Sequence, residues 1–195
     1  MAKTYEAFLR ARESFEQDAV GQRRSVSELN PPSRWYCADL LSTKQIADLR
    51  QKLEFYAQTA GLQAFHFANS QPGEGTSTII ANLAKYIAAE KTFDNILLID
   101  ANFRNAVLHR AFNVSSSPGL RDVLANNSYC LQGIHRNPTC AFDILPCGSP
   151  PSGNCRGIDQ KKFQDQISVL RSQYQCILID SSPVLACADA LSTAL

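Results

Sequence analysis

The sequence predicts an α/β layered domain built on a parallel sheet flanked by helices. Three observations predict it. Asn95–Asp100 and Cys176–Asp180 are continuous apolar runs ending in an acid, the kind of strand buried on both faces of a parallel sheet. Between such runs, apolar residues recur at helical spacing. A glycine-containing turn, Ser70–Thr78, joins an apolar strand to an apolar helix.

The elements follow in order. Tyr5, Phe8, Leu9 and Phe15 fall on one face of a short amphipathic helix. Residues 18–38 lose periodicity and contain Pro31-Pro32, which reads as a linker. The chain therefore divides into an N-terminal helical arm with its linker, residues 1–38, and a domain over residues 39–195. Trp35-Tyr36 beside the prolines tacks that linker onto the domain; docking of a partner is the other reading. Ile46, Leu49, Leu53 and Tyr56 form an apolar helical stripe ending near Gly61. Ala64–Asn69 is the first strand, and Ile79, Ile80, Leu83, Tyr86 and Ile87 mark the next helix. After the strand at 95–100, Leu120–Leu124 is a short helix and Phe142–Leu145 a strand ending at Pro146. Phe163, Ile167, Leu170 and Tyr174 recur at helical spacing before the last strand, Cys176–Asp180.

Composition bounds the function. The chain has 195 residues and is 45% hydrophobic, enough for a core and unlike a disordered segment. With 19 Lys+Arg against 18 Asp+Glu, no nucleic-acid surface is expected. The seven cysteines are an odd number with no C-x-x-C pair, and His66, His109 and His135 lack zinc-finger spacing, so the thiols read as reduced and no structural zinc is expected. Cys147 and Cys155 lack the basic surroundings of a reactive thiol, and Ser182 lacks the Gly-x-Ser-x-Gly frame of a hydrolase nucleophile. The opening residues contain no apolar leader. The longest stretch without charge, Phe55–Gly73, is interrupted by polar residues and would not insert in a bilayer. A cytoplasmic protein, reaching a membrane only through a partner, is expected.

The most informative segment is Ser70-Gln71-Pro72-Gly73-Glu74-Gly75-Thr76-Ser77-Thr78. Its glycines let the backbone turn with N–H groups pointing inward, and such a nest at a helix N-terminus binds phosphate oxygens. Ser77 stands where a P-loop hydroxyl would hold Mg²⁺, but the position of the usual lysine is Thr76. Asp100 and Asp180 end strands where acids reach a crevice at the strand carboxyl ends; capping the next element is the alternative role for each.

Six segments, in this order, resemble the bacterial tyrosine kinase family, P-loop kinases of capsule and exopolysaccharide biosynthesis related to the MinD/ParA ATPases. They are Phe65–Thr78, Ile96–Arg104, His109-x-x-Phe112, Gly119–Leu124, Leu145–Pro151 and Ile177–Val184. Met1–Arg12 also resembles the opening of members encoded as separate cytoplasmic proteins. The resemblance implies a P-loop NTPase-like fold and Mg·ATP as ligand, with Ser70–Thr78 and Arg104 binding nucleotide. Ser77, Asp100 and Asp180 would hold Mg²⁺, and Asp100 and Asp180 would be the catalytic acids, Asp100 assisting the attacking hydroxyl. It makes His109 structural.

The departures from the family pattern are specific. The lysine is Thr76, which keeps helix-capping ability, and the Asp-x-Asp pair reads Asp100-x-Asn102. Only Arg50 survives from the Glu-x-x-Arg-x-x-Arg ring-assembly helix, whose other positions are Lys44 and Ala47. Walker B reads Asp180-Ser181-Ser182-Pro183, and the terminal tyrosine cluster has no counterpart. The sheet strands that follow in the family are also expected to be missing, leaving an edge for a partner chain to cover. The expectation is a pseudo-enzyme with weak or absent Mg·ATP binding, partnering a membrane polysaccharide co-polymerase, an active kinase paralogue or its own copies. A MinD/ParA-like nucleotide switch and an autokinase with a compensated P-loop are the alternatives.

Overall fold

The computed structural model describes residues 43–126, 130–136, 140–149, 158–185 and 193. The helix expected at Tyr5–Phe15, the linker with Trp35-Tyr36 and the boundary at residue 38 lie outside the described residues, as do Cys37, Cys155 and Cys187. The elements are α1 (Thr43–Ala60), β1 (Ala64–Phe67), α2 (Thr76–Ala89), β2 (Ile96–Ala101), α3 (Leu108–Ala111), α4 (Leu120–Asn126), β3 (His135–Arg136), β4 (Asp143–Leu145), α5 (Gln160–Leu170) and β5 (Cys176–Ser181). A 3₁₀ turn, Cys130–Gly133, precedes β3.

The five strands lie in the order β1-β5-β2-β4-β3. All neighbours are parallel except β3, which runs antiparallel to β4. The sheet is therefore mostly parallel, as expected, with one short antiparallel strand at its edge. The antiparallel strand is only the pair His135-Arg136, too short to leave any periodic trace in sequence. β2 and β5 are buried along their whole length, as their unbroken apolar runs require.

Alternation along β2 divides the core. Ile96 and Leu98 face a cluster with α2 (Ile80, Leu83, Ala84, Ile87) and with Ile46 and Leu53 of α1. Leu97 and Ile99 face the opposite cluster, with Leu120 and Val123 of α4 and Phe163, Ile167 and Leu170 of α5. The result is helix, sheet and helix in three layers. The α1 stripe is realised except at Tyr56, which is 50% exposed and meets Phe55 edge to face at 5.7 Å. At about 100° per residue, Tyr56 lies roughly 80° from Ile46, beyond half-buried Leu49 on the margin of the stripe. Tyr174 continues the α5 spacing but stands past the helix end, where its N–H donates to the Leu170 carbonyl and its hydroxyl to Asp143 Oδ2 at 2.7 Å. Among the described residues no helix is long and apolar enough to cross a membrane.

Candidate functional site

The carboxyl ends of β1, β5 and β2 form one crevice, because β5 inserts between the other two. Its first wall is the loop Ser70–Thr78. Gly73 and Gly75 adopt φ of 90° and 86°, which a side chain at either position would strain. Gly75 is the N-cap of α2 and supplies no side-chain cap. The first-turn N–H groups of α2 therefore face the loop without a side-chain acceptor, a ready seat for an anion. Thr76 is the first helical residue rather than the cap, a correction to the capping role expected of it. Within the loop, the Asn69 amide donates to the Gln71 carbonyl at 2.6 Å, and the Ser70 N–H donates to Glu74 Oε2 at 3.0 Å. Ser70, Gln71, Pro72, Gly73 and Glu74 are exposed, whereas Gly75, Thr76, Ser77 and Thr78 are half-buried.

Ser77 Oγ donates to Asp180 Oδ2 at 2.5 Å, joining the loop to the end of β5. The other carboxylate oxygen, Oδ1, is buried and has no hydrogen-bond partner among the described residues. Burial pushes the Asp180 carboxyl up to about 7, with the nearby Asp100 charge adding to the rise and the Ser77 bond opposing it. An orphaned buried carboxylate oxygen beside a serine hydroxyl matches what a hard, oxygen-seeking cation needs. Ser77 and Asp180 thus fit Mg²⁺.

Asp100 stands in register with Asp180 across the β2–β5 pair. Its carboxylate is heavily engaged. Oδ1 accepts from the Asn102 N–H at 3.2 Å, and Oδ2 accepts from the N–H groups of Val107 at 3.1 Å and Leu108 at 3.0 Å. Asp100 therefore caps α3 and holds the 102–108 turn, the alternative role read from its position. Burial pushes its carboxyl up to about 6 despite these bonds. Arg104, on that turn, is exposed. The structure thus brings Ser77, Asp100 and Asp180 to one crevice with the loop, and leaves Arg104 at its rim.

Some contacts of the crevice escaped the sequence reading. Ser182 Oγ donates to Asn102 Oδ1 at 3.3 Å, with Ser182 fully buried. Thr193 Oγ1 lies 3.1 Å from His66 Nε2 and 3.2 Å from Ser181 Oγ. Beyond β2, Arg121 stacks on Phe103 at 4.9 Å and donates to the carbonyls of Phe103 and Ser149. Asp122 accepts from the N–H groups of Gly119 and Ser149 and from Ser117 Oγ, bonds that hold its carboxyl below the usual range against the opposing effect of burial. The Gly119–Leu124 and Leu145–Pro151 motifs were legible as words, and the bonds show how the described part of the second, through Ser149, is tied to the first.

No protein-family model matches the chain. Over 148 residues it is 35% identical to a putative tyrosine-protein kinase, EpsB, of Ralstonia solanacearum, a match spanning 76% of this chain and 20% of EpsB. The chain thus corresponds to about a fifth of that relative. It is 28% identical over 169 residues to the tyrosine-protein kinase YwqD of Bacillus subtilis, covering 87% of this chain and 68% of YwqD. In fold it is similar to the kinase domain of the Escherichia coli tyrosine kinase ETK, with a TM-score of 0.67, 22% identity, and coverage of 77% of this chain and 58% of that one. It is also similar to the septum site-determining protein MinD of Pyrococcus horikoshii, solved with Mg-ADP. That match has a TM-score of 0.56, 25% identity, and coverage of 67% and 53%.

Proposed function

Because the chain belongs to the bacterial tyrosine kinase family, whose P-loop fold is related to that of MinD and ParA, we propose that it is a regulator or partner protein of capsule or exopolysaccharide assembly. In this reading the phosphate cradle is retained and catalysis is weakened. The observation that carries it is a formed cradle around Thr76: two glycines at positive φ, an uncapped helix start and Ser77 on Asp180, with no Lys or Arg from Ser70 to Thr78.

The chemistry follows from those groups. Loop N–H groups would seat the phosphates, and Ser77 and Asp180 would hold Mg²⁺. When bound, Mg²⁺ neutralises phosphate charge. A lysine would follow that charge into the transition state. Its charge-assisted hydrogen bond is worth about 1.5–3 kcal/mol, roughly tenfold to a hundredfold in affinity. Losing one such stabiliser of the transition state costs about 10²–10³ in rate. In residual phosphoryl transfer to a tyrosine, the three N–H bonds to Asp100 favour a role in holding the 102–108 turn over a role as proton acceptor. The partner in this reading is a membrane polysaccharide co-polymerase or an active kinase paralogue. The likeness to MinD bound to Mg-ADP supports a second reading, a nucleotide-dependent switch.

Calorimetric titration of Mg·ATP and Mg·ADP into the protein and into Thr76→Lys tests the proposal. The expected result is weak binding by the wild type and tighter binding by Thr76→Lys. Micromolar binding and phosphotyrosine formation by the wild type would replace the proposal with an active autokinase. Tight binding with dimerisation and no phosphotyrosine would favour the switch.

A further inference from the structure

Asn102 lies two residues past Asp100, on the β2 side of the crevice, and its side chain is half-exposed. Its carboxamide is oriented by its neighbours. The backbone N–H of Asn105 points at one end of it at 3.1 Å, and the Ser182 hydroxyl points at the same end at 3.3 Å. A backbone N–H only donates, so that end must be the oxygen. Turning the amide over would set donor against donor at Asn105 and forfeit that bond. With Oδ1 committed, the group left over is the NH₂, and Nδ2 has no protein partner among the described residues. Ser182 anchors the arrangement on the far strand, because its own side chain is fully buried at the end of β5.

Position matters as much as orientation. Asp100 and Asp180 are in register on β2 and β5, and Ser77 of the phosphate loop bonds Asp180. Asn102 and Ser182 extend that register past the strand ends by a side-chain bond. The donor therefore stands at the rim of a crevice whose floor already carries two carboxyls and whose loop carries Glu74. A carboxylate at 102 would add further repulsion against an incoming phosphate; a neutral amide adds attraction instead.

We infer that Asn102 is a phosphate-binding residue of this site: its side-chain amide donates to an anionic oxygen of the seated phosphate, taking over part of the role a lysine at position 76 would have. The inference rests on the reading of Ser70–Thr78 as a phosphate cradle.

The test is titration of metal-free ADP, and separately of Mn²⁺ alone, into wild type, Asn102→Asp, Asn102→Ala and Thr76→Lys. Asn102→Asp keeps an acceptor for Asn105 and Ser182 and exchanges only the donor for a charge. Its melting temperature should stay near that of wild type. Its affinity for metal-free ADP should fall by about tenfold or more, the size of a hydrogen bond to a charged group. Its affinity for Mn²⁺ alone should rise, an opposite sign that a purely structural role would not produce. Asn102→Ala, which removes the donor without adding charge, should bind ADP several-fold more weakly than wild type. Equal or tighter ADP binding by Asn102→Asp and Asn102→Ala would overturn the inference and leave the cradle intact. So would a silent wild type beside a binding Thr76→Lys, because Asn102 then replaces nothing. If wild type and Thr76→Lys are both silent, the inference and the cradle fall together.

Discussion

Asp180→Asn should make the protein more stable at alkaline pH while removing its cation site. The carboxyl is raised from 3.8 to about 7, chiefly by burial. A raised acid binds its proton more tightly folded than unfolded. It therefore favours the fold below about pH 4 and loses that contribution as pH rises through about 7. A shift of roughly three pH units at about 1.36 kcal/mol each comes to about 4 kcal/mol by pH 8. Asparagine is isosteric, never ionises and still accepts from Ser77. The variant should therefore match wild type near pH 4 and exceed it by about 4 kcal/mol at pH 8. For a chain of this size that is roughly 8–16 °C in melting temperature. Asp100, raised to about 6 by burial, gives wild type and variant alike a further decline over the same pH range. Urea denaturation at pH 4, 6 and 8, followed by circular dichroism, reads the difference. A gap that does not grow with pH, or a variant less stable than wild type at pH 8, would refute the argument. The predicted gain marks Asp180 as a residue kept at a cost to the fold, as a functional carboxyl is expected to be.

Two further outcomes follow. Gly119→Ala should lose about 2–3 kcal/mol in chemical denaturation, because the added carbon would sit 2.3 Å from Gly148 N and 2.4 Å from Pro146 O, both backbone atoms; an unchanged midpoint would show that these two loops are loosely joined. Native alkylation with iodoacetamide at pH 8, read by mass spectrometry, should modify half-buried Cys140 ahead of Cys130, Cys147 and Cys176, whose thiols burial pushes up to about 12; rapid labelling of Cys147 in the folded protein would contradict the packing around β4.

What the sequence disclosed depended on the range of the interaction concerned. The strands at 96–101 and 176–181 were legible because burial on both faces demands an unbroken apolar run. The phosphate loop was legible because its backbone conformation demands glycine at two close positions. β3 was not, since two residues carry no period. Asp100 could be seen as an acid at a strand end, but the three N–H groups that occupy it come from a turn whose path the sequence does not specify. Asn102 stood out only as a missing carboxylate; the partner that orients it is 80 residues away. Tyr56 and Tyr174 obeyed helical spacing, yet one lies at the stripe's margin and the other past its helix.

The strand order also bears on how the protein is made. β1 and β2 do not touch; the place between them is filled by β5, with Ala64 paired to Ile177 and Ile96 to Cys176. Cys176 emerges about 80 residues after Ile96, some 4–16 s later at ribosomal speeds of about 5–20 residues per second. Until then the first two strands have an open slot in place of a neighbour, and Ser77 has no Asp180 to bond. Contacts of such long sequence separation are slow to form. The chaperone demand of the nascent chain should therefore fall when β5 inserts, and competence to bind phosphate should arise in the same event. Acquisition of ligand binding during synthesis would then serve as a clock for closure of the sheet.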